Sequence, residues 1–337
     1  MSVKKVIQYI LISALAVLLL YVSFKGVKWN DFIEGIKSCN FYWILLSMAV
    51  GITGFIIRAL RWRLLLKPLD GNISLKQTYN GVAIAYLTNF AVPRAGEIAR
   101  CAVVTKRGGV TFEQALGTVV AERATDLICL AFFVLFTMLL KWGEFGGFIN
   151  DQLLAPIGRK FSTGLIAVLA GAILLCALLL LLAYLCRRRL MKFKLAQKIA
   201  GILRRIAEGV ATIFRMKEKW LFMLYTLLLW GTYWCTSYAT ICAFPAVGHL
   251  NAADALFLMI VGGLGWAVPV QGGLGAYHFI VSLALLKVYA IPQSMGVVFA
   301  TISHESQALV MILCGTVAVA GIWSRNKRLK KKHEDNI

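Results

Sequence analysis

Every residue from Leu165 to Leu185 is uncharged, and nearly all are apolar. A run of about 20 such residues matches the hydrocarbon thickness of a bilayer. Similar stretches recur along the chain, at Val6–Phe24, Phe41–Leu60, Glu113–Leu140, Thr163–Cys186, Trp220–Phe244 and Met295–Trp323. Mean hydropathy is +0.76, with 60% hydrophobic and 15% charged residues. These values exclude a soluble enzyme, and the long unbroken runs exclude a β-barrel, whose strands alternate over about ten residues. The expected fold is an all-α polytopic membrane protein, one integral domain over residues 1–337. Lys4 and Lys5 precede the first run, but no small-residue cleavage site follows, so it reads as a retained span.

The charge balance is lopsided, with 36 Lys+Arg against 15 Asp+Glu. In a membrane protein this pattern follows from positive-inside orientation and anionic headgroups, so no nucleic acid is expected as a partner. The eight cysteines are scattered without a CxxC pair and read as small core residues.

Two further apolar stretches, 77–107 and 254–290, are interrupted at Pro93 and Pro269. Each half is about 15 residues, or roughly 23 Å of helix, shorter than a 30 Å core. The basic segments 58–76 and 187–219, and the tail 324–337, should be cytoplasmic. The mixed segments 25–40, 141–162 and 246–253 should face outward. Both constraints hold only if each interrupted stretch starts and ends on one side. Two full crossings per stretch would satisfy this parity equally well; the short halves decide for about six full spans plus two re-entrant helical hairpins, with both termini cytoplasmic.

The two halves echo each other. Asn89 to Glu97 (NFAVPRAGE) is answered by Gly265 to Gly273 (GWAVPVQGG), and each is followed by a long helix with ionisable residues inside it. Repeat 1 spans about 41–140 and repeat 2 about 220–323. The same order with opposite orientation is an inverted-topology repeat, the signature of a midplane transporter site. Pro93 and Pro269 break the helices, and Gly96, Gly272, Gly273 and Gly275 permit the turns.

Glu122 and Asp126 lie one turn apart, about 14 and 20 Å from the start of their helix, with Arg123 beside them. Charges at that depth are costly and need partners or water. Arg94 and Arg100 are the expected counter-ions. Functionally, Arg94, Arg100 and Arg123 would engage a lipid phosphate, while Glu97, Glu122 and Asp126 balance charge or relay protons; structurally, the same set would only lock hairpin to span. In the second half Gln271, His278, His304 and Glu305 hold the equivalent places. Arg58, Arg61 and Arg63 close the second span and read as inner-face lipid contacts. The basic, amphipathic run 187–219 reads as a helix on the inner leaflet, or a docking site for a cytoplasmic partner. Small residues such as Ala167 and Gly171 suit helix packing within a chain or in a homodimer.

No catalytic motif is found. His304-Glu305 is followed by Ala308, not a second histidine, and no nucleophile elbow or P-loop is present. The expectation is a non-enzyme with no cofactor and no metal.

Arg58-Ala59-Leu60-Arg61-Trp62, the string Thr88 to Arg100, Glu122-Arg123-Ala124-Thr125-Asp126 and Gly272-Gly273-Leu274-Gly275 together resemble the lysylphosphatidylglycerol synthase transmembrane family. The resemblance implies a flippase-like protein of the bacterial inner membrane. Its lipid would be a phospholipid or a polyprenyl phosphate. Synthase activity is not implied, because the aminoacyltransferase domain has no counterpart in this sequence. After GGLG the family usually continues with a charged stretch ending in glutamate, where this chain has Ala276-Tyr277-His278-Phe279. The rival reading is a non-transporting partner protein of envelope-lipid or glycan synthesis; a membrane-embedded transferase using His304 and Glu305 is a third.

Overall fold

A computed structural model describes residues 3–70, 72–105, 109–140 and 216–334. The expected span Thr163–Cys186, the loop 141–162 and almost all of the connector 187–219 lie outside them. Among the described residues the chain is helical, without strands. The helices are α1 (Val3–Phe24), α2 (Trp29–Lys37), α3 (Phe41–Leu66), α4 (Leu75–Ala91), α5 (Gly96–Thr105), α6 (Phe112–Leu140), α7 (Lys219–Cys242), α8 (Ala252–Ala267), α9 (Ala276–Tyr289) and α10 (Gln293–Glu334). Four stretches are long and apolar enough to cross a bilayer: α3, α6, α9 with the turn before it, and most of α10. The pair α1 and α2, bent by 86°, makes up to five.

Side-chain caps set several helix starts. Asn40 accepts from the Tyr42 amide at 3.1 Å to open α3. Reciprocal capping boxes, Ser74 with Gln77 and Asn251 with Asp254, open α4 and α8. Helix α2 lies in the segment expected to be a plain outer connection. It buries Phe32 and Gly35 against α10, where Gly35 faces Val298.

The helix order matches between halves: α3, then α4 and α5 paired across a break, then α6; α7, then α8 and α9 paired across a break, then α10. Packing is reciprocal as well. Helix α3 lies against α7, α10 lies against α4, and α6 lies against α8. Helices α3 and α7 run antiparallel. At one end the Asn40 amide donates to the Ala243 carbonyl at 2.8 Å; at the other Lys67 pairs with Glu218 at 2.8 Å.

The breaks form where the sequence expects them. After α4, Val92 is extended, and Arg94 takes a positive φ of 63°. Gly96 then opens α5 with its amide on Asn89 Oδ1 at 2.8 Å. The second break is longer, running from Val268 through a short 3-10 turn, and Gly272, Gly273 and Gly275 all have positive φ. The two tips touch: Phe90 packs on Gly272, and Arg94 Nη2 donates to the Ala267 carbonyl at 3.2 Å.

Candidate functional site

Ionisable side chains meet where α3, α5 and α6 converge. Arg58 and Arg61 are three residues apart, so they share a face of α3. Glu122 and Asp126, four apart on α6, face them. Arg61 Nη2 donates to Glu122 Oε1 at 2.8 Å, and its Nη1 lies 2.8 Å from Asp126 Oδ1. Arg58 reaches both acids, at 3.5 Å to Glu122 and 3.1 Å to Asp126. Arg100, from α5, donates to the other Glu122 oxygen at 2.6 Å. Three guanidinium groups thus surround two carboxylates, and Glu122 is 0% exposed.

The expectation that Arg58 and Arg61 are inner-face lipid contacts is therefore corrected. Helix α3 continues to Leu66, so Arg58 sits about 12 Å before the helix ends. At that depth a guanidinium needs a carboxylate more than it needs a headgroup. Arg63 stays at the end of α3, part-buried and donating to the Ile73 carbonyl of the α3–α4 connection at 2.8 Å. Arg94 is the second correction. It is exposed at the hairpin tip, and its bond to Ala267 takes the place of a bond to Glu122 or Asp126.

Around the network lie residues that the sequence did not single out. Tyr86 and Tyr233 each accept from Arg58 Nη1 at 3.0 Å. Trp62 donates to Thr118 at 3.0 Å and carries the Arg100 guanidinium over its ring at 4.7 Å. Trp62 stands in the quoted motif; nothing in the surrounding apolar run marks Tyr233.

A cleft opens beside this network, lined by Arg58, Tyr86, Asn89, Glu97, Arg100 and Arg123. Its volume of about 10 Å³ admits a single water. Arg123 spans the mouth: its side chain is 49% exposed and pairs with Glu97 at 2.7 Å. Arg100 Nε and Glu97 Oε2 are buried without a hydrogen-bond partner among the described residues.

The second half forms a separate cluster. His278, His304 and Glu305 come together, with Trp266 stacked on His304 at a ring separation of 4.5 Å. Gln271 does not join them; it donates to Ser13 of α1 at 2.9 Å.

The sequence model of the lysylphosphatidylglycerol synthase transmembrane region matches residues 6–315. The chain belongs to that family. A UPF0104 membrane protein of Pyrococcus horikoshii is 25% identical over a 263-residue alignment, which covers 68% of this chain and 76% of the relative. No solved structure matches the chain. The family match contains both breaks and every residue of the network.

Proposed function

We propose that this protein moves an anionic, phosphate-bearing lipid between leaflets of the bacterial inner membrane. The observation that carries the reading is the cleft beside Arg58, Arg100 and Arg123. Arginine is the side chain best matched to phosphate geometry, and here three line one opening between a broken helix pair and a long helix. Arg100 Nε has no partner among the described residues, so one donor of an arginine lining the cleft is unused.

The reading extends to architecture. Helices α4 and α5, and α8 and α9, act as re-entrant hairpins of an inverted repeat, and six spans complete the domain. Reciprocal packing of α4 on α10 and α8 on α6 supports a two-fold relation between the halves. In the present conformation the cleft holds about one water, so a headgroup enters only when the α4–α5 hairpin moves away from α6. Acyl or prenyl chains would stay in the bilayer during that exchange.

Burial decides which variant is informative. Glu122 is locked under three arginines, so its removal confounds transport with folding. Arg123 is half exposed and bonded to Glu97, and Arg123→Gln should fold. In proteoliposomes carrying labelled zwitterionic, anionic and polyprenyl-phosphate lipids, the wild type should translocate one anionic class. Arg123→Gln should slow that movement by about tenfold or more, the loss of one charge-assisted contact. Folded protein that moves no class, with or without a pH gradient, would overturn the proposal.

A further inference from the structure

The hydrogen bonds around His304 leave a charge problem that a metal ion solves. Its Nε2 lies 2.9 Å from the Gly272 carbonyl oxygen. A carbonyl only accepts, so Nε2 carries the hydrogen and donates. In the neutral ring Nδ1 is then a lone pair. That lone pair lies 2.8 Å from Glu305 Oε1, itself an acceptor. Two acceptors at hydrogen-bonding distance require a cation between them, either a proton or a metal.

His278 favours the metal. Its ring is 2% exposed, and its Nε2 points at the same carboxylate oxygen from 3.8 Å. A proton shared by His304 and Glu305 makes no use of the His278 ring brought up to the same carboxylate. A divalent ion uses all three. One ligand atom from each of His278, His304 and Glu305 lies within 4.8 Å of the others. Tetrahedral ligation at about 2.0–2.2 Å sets ligand atoms about 3.4 Å apart, so the widest separation would close by about 1.4 Å and the 2.8 Å His304–Glu305 contact would open by about 0.6 Å. Glu305, with a side chain 51% exposed, is free to supply part of that movement.

We infer that His278, His304 and Glu305 form a site for a divalent transition-metal ion of the zinc type, tying the second hairpin to α10. Two imidazoles and one carboxylate are a common ligand set for Zn²⁺ and leave at least one position open to water or an anionic oxygen. The supporting shell is present. The Gly272 carbonyl fixes the His304 tautomer, as outer partners of metal-bound histidines do, and Trp266 covers one ring face. Gly272 has a φ of +57°, so the break that the glycines permit also aims this carbonyl. The expectation of no metal rests on a missing helical H-E-x-x-H; here the second histidine comes from another helix.

The site stands apart from the lipid reading and can fail without it. The test is metal counting on full-length protein, purified in detergent with a tag free of histidine. After chelation, the protein is loaded with ZnCl₂ and freed of excess metal. About one Zn²⁺ per chain is expected. His278→Ala and His304→Ala should each weaken binding at least tenfold, while His249→Ala leaves it unchanged. Cobalt substitution of the wild type keeps the test decisive should a variant not fold. Its visible bands should report nitrogen and oxygen ligands without thiolate charge transfer. Four results would overturn the site: no stoichiometric Zn²⁺, retention in both histidine variants, a thiolate signature, or a doubly protonated His304 whose proton Zn²⁺ cannot displace.

Discussion

At the scale of single residues, Glu122 matters most to the first half. It accepts from Arg61 and Arg100 and lies near Arg58, with no exposure to solvent. Removing one partner of a buried ion pair leaves the others uncompensated, at about 3–5 kcal/mol. Glu122→Gln should therefore lower the thermal unfolding midpoint in detergent or prevent accumulation. Adding Arg100→Met removes an acid and a base together, and the double variant should recover part of the loss, a coupling that a double-mutant cycle measures directly. An unchanged midpoint in the single variant would show that the network does not hold α3, α5 and α6 together. Three of the five residues of this network were legible in the sequence. Intramembrane acids announce themselves by their cost, so Glu122, Asp126 and Arg100 stood out. Arg58 and Arg61 did not, because positive-inside anchoring explains arginines near a helix end equally well, and only the extra turns of α3 to Leu66 place them deep. The pairing of bases three apart with acids four apart was a signal available without coordinates.

At the scale of elements, the breaks at Pro93 and Pro269 were readable, since proline removes a donor and glycine tolerates the tight turn after it. Helix α2 was not. It is a nine-residue amphipathic helix of mixed charge, and its burial depends on α10, far along the chain. Tertiary contact made that helix, not a local pattern. The close approach inside the first hairpin gives a clean test of its packing. A Cβ on Gly96 would run into the Ala85 carbonyl and the Asn89 side chain, and backbone cannot rotate away. Gly96→Ala should destabilise by about 1–3 kcal/mol, as overpacking does. Gly231 of α7 has nothing within 4 Å of its Cβ position, so Gly231→Ala should be neutral or gain up to about 1 kcal/mol. Equal effects at the two glycines, measured by thermal unfolding, would show that the α4–α5 approach at Gly96 carries no packing constraint.

At the scale of the molecule, orientation decides whether the two broken pairs enter from opposite faces. Contacts already define two ends. The Asn40–Ala243 bond puts the α2–α3 and α7–α8 connections together, and the Lys67–Glu218 pair puts the α3–α4 connection beside the start of α7. Arg63, Lys67 and Lys76 gather near the second end, which the positive-inside rule assigns to the cytoplasm. The first hairpin is joined to that end and the second to the other, so the inverted repeat requires their connections to lie on opposite sides. Single cysteines in a cysteine-free background test this. Asn72→Cys and Lys217→Cys should react with an impermeant thiol reagent only when the cytoplasmic face is opened. Ser38→Cys and His249→Cys should react in intact cells. Labelling of all four positions from one side would leave the reciprocal packing standing but remove the opposite orientation of the two hairpins.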